Sequence, residues 1–240
     1  MPSLILMHGL PATGKTTIAA TIAEDLNAKV LSSDSIRDDV FPDQIEIPLI
    51  EGPKAHLEAV YAALESNPSK HYNLQRIFRP FRERGLTIRP DWDERTYTQR
   101  EEVFERLVEE AEAQLRNGVN VIIDATNIER GIRERYRRIA IRVDCPLYIV
   151  SVQSDVEAVR ERIARRQAID EPTTQASTMA IYHGLKERNQ PPHPDEASLI
   201  VYDSSRNEIL SPLHSIDTTY NRIIAALQRV QCKFTPPKRC

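Results

Sequence analysis

The sequence predicts an α/β fold with a mostly parallel five-stranded sheet, for three reasons. Short apolar runs that suit strands alternate with longer segments in which apolar residues recur at helical spacing. Several apolar runs are nearly continuous, as strands are when helices cover both faces of a parallel sheet. A glycine-rich turn also joins the first apolar run to the first helical segment. These features predict a three-layer sandwich formed by a single domain over residues 1–240.

The first half of the chain contributes three strands and two long helices. Strands are predicted at residues 4–9 (LILMHG), 28–34 (AKVLSSD) and 119–127 (VNVIIDATN). The first helix is predicted at 16–27, where the apolar residues share one face. A second helix, from about residue 99 to 117, is expected to open at a Thr98-x-x-Glu101 capping box and to end at Gly118.

The second half continues the same alternation. A fourth strand is predicted at residues 147–152 (LYIVSV) and a fifth at 198–203 (SLIVYD). Between them, Ser154-x-x-Glu157 reads as another capping box, which opens a helix through Gln167. Residues 220–230 (YNRIIAALQRV) are predicted to form a terminal amphipathic helix.

Three segments do not fit the alternation. Residues 42–96 contain six prolines and no convincing central strand, so we predict an inserted, mainly helical or irregular segment with a short helix at 54–64. Residues 167–178 are polar and lack a clear helical period, and a lid is expected at about 160–178. The tail, 232–240, is expected to be mobile.

The composition excludes several classes of protein. A net charge of -3 and a charged fraction of 28% do not mark the whole chain as a binder of nucleic acid or membranes. No signal peptide and no membrane span is recognisable, so no membrane partner is expected. The three cysteines have no spacing typical of a metal site or a disulfide framework, and a cytoplasmic location is the simplest expectation. The residues do not indicate an oligomeric state.

The clearest motif is the segment GLPATGKT at residues 9–16. It matches the phosphate-loop (Walker A) pattern G-x-x-x-x-G-K-[ST], and it stands between a predicted strand and a predicted helix, as that loop requires. Its backbone N–H groups would cradle phosphates, Lys15 would contact the β- and γ-phosphates, and the Thr16 hydroxyl would bind Mg²⁺. The sequence therefore predicts ATP and Mg²⁺ as ligands, with nucleotide contacts from Gly9, Leu10, Pro11, Ala12, Thr13, Gly14, Lys15, Thr16 and Thr17.

Asp34 ends the second predicted strand, and two interpretations of it stay open. Ligands bind at the carboxyl ends of strands in an open parallel sheet, where a carboxylate can accept the proton of an attacking hydroxyl. Asp is also a favoured helix N-cap, a role that Ser32 or Ser33 could take instead. Arg37 lies one helical turn later, where it would either hold an anionic acceptor or form an exposed ion pair.

A second acid, Asp124, ends the third predicted strand. Phosphate-loop enzymes keep an acid at this position near Mg²⁺, so a metal role is favoured over capping. Thr126 and Asn127 would cap the next helix, predicted to begin near Glu129, or Asn127 would face the substrate.

Two arginines, Arg162 and Arg166, are spaced to project from one face of the helix after the fourth strand. They would clamp the transferring phosphoryl group, or they would belong to a solvated face paired with Glu157 and Glu161. The residues alone do not decide between the two.

Taken together, these motifs resemble the P-loop kinases of the polynucleotide-kinase and zeta-toxin group, including AAA-type predicted kinases. The similarity covers the phosphate loop, S-x-D-x-x-R at 32–37, VIIDATN, the R-x-x-x-R pair and NQPPHPDE at 189–196. It implies a P-loop NTPase fold and an ATP-dependent kinase, with Asp34 as the base, Arg37 at the acceptor site and Arg162 and Arg166 as lid arginines. Gln190 and His193 depart from the acids that are usual in such chains.

The acceptor is a hydroxyl compound that the sequence does not identify, and a small metabolite is slightly favoured. Residues 70–92 interleave arginines with aromatic residues, as single-stranded nucleic-acid binding requires, so a polynucleotide or tRNA acceptor is one alternative. A small subdomain core with a solvated rim explains the same pattern, and the arginines of residues 130–142 suit an ordinary surface helix. A nucleotide-dependent switch or ATPase without an acceptor is the other alternative.

Overall fold

The computed structural model describes residues 1–40, 50–51, 87–88, 94–168 and 179–234. The predicted helix at 54–64, most of the insertion, the lid segment 169–178 and residues 235–240 of the tail lie outside these residues. In the described part, none of the helices is both long and apolar enough to cross a membrane.

The central sheet has six strands in the order β2-β5-β1-β6-β7-β8. The strands in chain order are β1 (Leu4–His8), β2 (Ala28–Ser32), β3 (Ile50–Glu51), β4 (Thr87–Ile88), β5 (Asn120–Asp124), β6 (Leu147–Gln153), β7 (Ser198–Asp203) and β8 (Glu208–Ile209). Five of the six are parallel, which confirms the predicted sheet, and β8 pairs antiparallel with β7 at one edge. β3 and β4 form a separate antiparallel pair.

Seven helices are described around this sheet: α1 (Lys15–Leu26), α2 (Ser33–Val40), α3 (Glu94–Arg116), α4 (Arg130–Val143), α5 (Val156–Ala168), α6 (Met179–Arg188) and α7 (Thr218–Phe234). Neighbouring residues of β1 point to opposite faces, as strand geometry requires. Ile5 belongs to a core that includes residues of α1 and α7, whereas Leu6 belongs to a core that includes residues of α3 and α4. The predicted three-layer sandwich is therefore confirmed.

The predicted helix caps are where the structure differs from the local sequence patterns. α3 begins at Glu94, four residues before Thr98, so the first proposed capping box lies inside the helix. α5 begins at Val156, and the Asp155 carboxylate accepts the Ala158 N–H at 2.7 Å, so the cap is Asp155 and not Ser154. By contrast, Gly118 follows α3 with a φ of 78°, which confirms it as the left-handed terminator.

The start of α4 shows why local patterns mislead. Glu129 occupies the cap position without a side-chain capping bond, so neither Thr126 nor Asn127 caps the helix. The Arg130 N–H instead donates to the side-chain Oε1 of Gln190 at 2.7 Å. The cap is supplied from a distant part of the chain, and no pattern within a few residues can predict it.

Candidate active site

The phosphate loop turns sharply from β1 into α1. Gly9 has a φ of 147°, and a Cβ atom there would lie 2.3 Å from the Val152 carbonyl oxygen, so only glycine fits. The Gly9 N–H donates to the Thr126 carbonyl at 3.1 Å, which ties the loop to the segment after β5. Ala12 and Gly14 also have positive φ values, of 60° and 97°. The loop is thus held in one unusual backbone conformation.

The loop delivers an anion-binding helix terminus. α1 starts at Lys15 with no side-chain capping bond and no acidic residue in its first turn, so the positive end of the helix dipole is not neutralised there. The Lys15 side chain is almost buried, and its Nζ donates to the Leu10 carbonyl at 2.9 Å. Thr16 and Thr17 are exposed. This arrangement fits the phosphate groups of a nucleotide.

Asp124 lies at the end of β5, next to the strand that leads into the phosphate loop. The residue is 6% exposed, and among the described residues no hydrogen bond to its carboxylate is found. Its oxygens are not among the enclosed side-chain atoms that lack a partner in the described part of the chain, so the carboxylate is open to a ligand at the end of the strand. Together with the exposed hydroxyl of Thr16, this oxygen donor set fits Mg²⁺, which prefers a few protein oxygens plus phosphate and water.

Asp34 lies one strand further along the same edge of the sheet. α2 begins at Ser33, and the Asp34 N–H donates to the Ser32 hydroxyl at 3.3 Å, so Ser32 and not Asp34 provides the cap. Ser32 is aligned with Asp124 in the β2–β5 register. The carboxylate of Asp34 is half-buried in the first turn of α2, and Arg37 follows one turn later, also half-buried. The capping interpretation of Asp34 is therefore wrong.

Asn127 has a structural position. The residue is fully buried with a φ of 45°, and its side-chain amide donates to the Met7 carbonyl at 2.7 Å. The Asn127 carbonyl in turn accepts a hydrogen bond from Arg133 at 3.0 Å. Because the side chain is enclosed, its amide is not presented at the surface of the site, where an acceptor would bind.

Of the predicted pair Arg162 and Arg166, the structure describes the side chain of Arg162 alone. The guanidinium of Arg162 donates to the Ala12 carbonyl of the phosphate loop at 3.2 Å and to the hydroxyl and carbonyl of Ser204 at 2.9 Å each. Arg162 therefore lies beside the phosphate loop and bonds to protein groups there, while its predicted contact with the phosphates stays a prediction. The side chain of Arg166 lies outside the described residues.

A buried polar cluster beside the loop was not predicted. His8 immediately precedes Gly9, and its Nδ1 lies 2.9 Å from the Ser151 hydroxyl and its Nε2 3.1 Å from Asn189 Oδ1. Because an amide oxygen only accepts, Nε2 carries the proton and Nδ1 accepts from Ser151. Burial, assisted by the charges of Arg133 and Lys15, lowers the pKa of His8 to about 4, so the ring is neutral near pH 7.

The segment NQPPHPDE is anchored by a buried ion pair. Arg133 of α4 donates to both carboxylate oxygens of Glu196, at 2.8 and 2.9 Å, and both side chains are nearly inaccessible. The pair holds the segment that carries Asn189, the partner of His8. Gln190 and His193, which stand where similar chains usually have acids, both make side-chain contacts. Gln190 caps α4, and the Nδ1 of His193 lies 2.8 Å from the Asp195 carboxylate. Only the position of His8 next to the loop hinted at this cluster.

Apart from Arg133, which is buried against Glu196, the arginines of α4 behave as the surface-helix interpretation predicts. Each of the arginines in this helix has an acidic partner among the described residues: Arg130 with Asp195, Arg133 with Glu196, Arg135 with Glu101, Arg137 and Arg138 with Glu134, and Arg142 with Glu112. Interspersed opposite charges do not create the concentrated positive potential that nucleic-acid binding needs.

A sequence profile described as AAA domain matches residues 4–191. The chain belongs to this family. The resemblance to AAA-type P-loop kinases found in the sequence is thus confirmed for the family. No match to a curated protein was found.

Three solved structures extend the comparison to the whole fold. A protein from Chloroflexus aurantiacus J-10-fl is 19% identical, with coverage of 98% of this chain and 99% of that chain and a TM-score of 0.54. Kti12 from Chaetomium thermophilum, in complex with ADP-AlF3, is 16% identical, with 97% and 100% coverage and a TM-score of 0.53. A sugar kinase from Janibacter sp. HTCC2649 is 15% identical, with 98% and 100% coverage and a TM-score of 0.51. At such identities the likeness establishes a shared fold, which is the predicted P-loop fold.

Proposed function

We propose that the protein is an ATP-dependent kinase that transfers the γ-phosphate of ATP to a hydroxyl group of an acceptor. The observation that carries the proposal is the order of groups along the carboxyl edge of the sheet. β1 leads into the phosphate loop, the adjacent β5 ends in Asp124, and β2 beyond it leads into Asp34. Neighbouring strands are about 4.8 Å apart, so β1 and β2 are separated by roughly 10 Å. This spacing accommodates a phosphoryl group and an acceptor hydroxyl between loop and base.

Each residue has a separate role in this proposal. Lys15 and the N-terminus of α1 hold the β- and γ-phosphates. Thr16 and Asp124 would hold Mg²⁺, which supplies positive charge to the phosphate oxygens when bound. Asp34 accepts the proton of the acceptor hydroxyl while the hydroxyl oxygen forms a bond to the γ-phosphorus. At the same time the bond between that phosphorus and the β,γ-bridging oxygen breaks, and ADP leaves.

The contacts to the acceptor and the lid are also proposals. Arg37, one turn from Asp34, orients the acceptor, and Arg166 neutralises charge on the transferring group. The likeness to a sugar kinase, and to Kti12 in complex with ADP-AlF3, supports a nucleotide-dependent phosphotransferase. A small hydroxyl metabolite is slightly favoured over a polynucleotide or tRNA; the arginines of α4 are paired with acids and add no basic surface, and most of residues 70–92, which suggested nucleic acid, lies outside the described residues.

The decisive experiment combines an acceptor screen with a matched pair of variants. γ-Labelled ATP is offered with nucleosides, sugars, amino acids and 5′-hydroxyl oligonucleotides, and the labelled product is quantified. Asp34→Asn should lower turnover by about 100-fold or more, because it removes the base, while the Kd for ADP stays within about twofold. Asp39→Asn, an exposed position in the same helix, is the control and should retain activity.

Three results would contradict the assignment. Unchanged turnover in Asp34→Asn would exclude it as the base. Labelled oligonucleotides alone would move the acceptor class to nucleic acid. Rapid phosphate release without an acceptor, with no labelled product in the screen, would favour a nucleotide-dependent switch or ATPase.

A further inference from the structure

The guanidinium of Arg162 joins three loops at the carboxyl edge of the sheet. Its Nη1 donates to the Ala12 carbonyl at 3.2 Å, to the Ser154 hydroxyl at 3.3 Å and to the Ser204 hydroxyl at 2.9 Å. Its Nη2 donates to the Ser204 carbonyl at 2.9 Å. Ala12 follows β1, Ser154 follows β6 and Ser204 follows β7, and these strands are consecutive in the sheet. One side chain thus bridges the ends of three neighbouring strands.

The phosphate loop needs such a restraint at Ala12. A φ of 60° places this residue in the left-handed region, which costs an alanine about 1 kcal/mol or more. Its side chain is buried in a small apolar cluster with Val159 and Ile163 of α5 and Tyr182 of α6. The hydrogen bond from Arg162 therefore acts on the carbonyl of a residue whose side chain is already packed against the same helix.

The other end of the bridge is rigid. The carboxylate of Asp203 accepts hydrogen bonds from the Ser205 N–H at 2.9 Å, the Ser205 hydroxyl at 2.6 Å and the Arg206 N–H at 3.0 Å. These bonds fix the turn that carries Ser204 between β7 and β8. A guanidinium, planar and with five donors, can bond the turn and the phosphate loop together, whereas a lysine offers only one nitrogen.

We propose that Arg162 is a positioning residue that holds the phosphate loop in its nucleotide-binding conformation by tying Ala12 to the turn at Ser204. The inference rests on the proposed function only in that a nucleotide occupies the phosphate loop. This role is separate from the direct phosphate contact that the family resemblance implies, because the tie acts on the backbone of the loop. Loss of the tie is expected to weaken nucleotide binding more than it lowers the rate of the chemical step.

The test is a double-mutant cycle on ADP affinity, measured by isothermal titration calorimetry with the full chain. Arg162→Lys is expected to weaken ADP binding about tenfold or more, and Ser204→Ala about two- to threefold. The double variant should bind ADP no more weakly than Arg162→Lys alone, because both changes break the same tie. Arg160→Lys, whose guanidinium pairs only with Glu157 on the exposed side of α5, is the matched control and should bind ADP like the wild type.

Two outcomes would overturn the inference. Effects of Arg162→Lys and Ser204→Ala that multiply would mean that the two residues act independently. Unchanged ADP affinity in Arg162→Lys would mean that the guanidinium does not position the loop. Because ADP binding requires no acceptor, the double-mutant cycle is independent of the acceptor screen. Coupled effects of Arg162 and Ser204 on ADP affinity, together with no phosphorylated product in the screen, would refute only the kinase assignment. Ser204→Ala keeps the test valid if Arg162→Lys folds poorly.

Discussion

Replacing Gly9 by alanine should damage both stability and nucleotide binding. The new Cβ would lie 2.3 Å from the Val152 carbonyl oxygen, whereas real Cβ atoms essentially never approach closer than 3.0 Å. The two atoms must therefore separate by at least about 0.7 Å. Val152 cannot move cheaply, because it belongs to β6, which is paired with β1 on one side and with β7 on the other.

The magnitude follows from two contributions. A φ of 147° is accessible almost only to glycine and costs another residue about 1–3 kcal/mol. Displacing β6 or the loop adds overpacking strain of about 1–3 kcal/mol. We expect a loss of roughly 2–6 kcal/mol in the free energy of unfolding, which for a chain of this size lowers the Tm by about 10 °C. Because the loop moves, ADP affinity should fall about tenfold or more.

Urea denaturation and calorimetric ADP titration measure both effects. Gly131→Ala is the matched control, since Gly131 lies in α4, no described atom apart from its chain neighbours and the backbone of its own helix lies within 4 Å of its Cβ position, and alanine favours helix. The control should be as stable as the wild type or about 0.5–1 kcal/mol more stable. A Gly9→Ala variant within about 1 kcal/mol of the wild type, with unchanged ADP affinity, would refute the steric argument.

Three further predictions concern stability. Because burial lowers the pKa of His8 from 6.5 to about 4, the unfolded chain takes up a proton here first as the pH falls. Stability should therefore decrease by about 2 kcal/mol between pH 7 and pH 5, and urea titrations of His8→Gln should lack this part of the slope; an identical slope would contradict it. Arg133→Met should cost about 3–5 kcal/mol by leaving Glu196 buried and unpaired, and Arg133→Met with Glu196→Met should recover most of this loss. Asp155→Ala should cost about 1 kcal/mol, and equal losses in Asp155→Ala and Ser154→Ala would dispute the cap.

Strands and helices with strong periodicity were predictable, whereas the groups that cap the helices were not. The apolar runs of β1, β5 and β6 are buried on both faces, so composition alone identified them. β8 was missed because a two-residue edge strand has no periodicity to detect. The caps of α4 and α5 were misjudged because a distant Gln190 caps one and the adjacent Asp155, an equally good cap by local rules, caps the other.

Some features of the candidate site were likewise predictable from the sequence, and others were not. The positions of the phosphate loop, of Asp124 at the end of β5 and of Asp34 just after β2 were predictable, because motif spacing and strand ends place them at one edge of a parallel sheet. Local sequence could not exclude a capping role for Asp34. The hydrogen bond from the Asp34 N–H to the Ser32 hydroxyl excludes it, and this bond depends on where α2 starts. The contacts of His8 with Asn189 and of Arg162 with Ser204 join residues far apart in the chain, and no local pattern encodes them.

The sequence by itself determined the family, the parallel sheet and the phosphate loop, since these depend on periodicity and on short motifs whose chemistry is local. Only the tertiary structure decided which polar groups lie around that loop and what they bond to. His8, Asn127, Arg133 and Arg162 acquire their partners when the strand ends and the segments after α4 and α6 come together. The physical reason is that a buried donor or acceptor must be satisfied by whichever group the fold brings within about 3 Å, and the fold, not the neighbouring sequence, chooses that group.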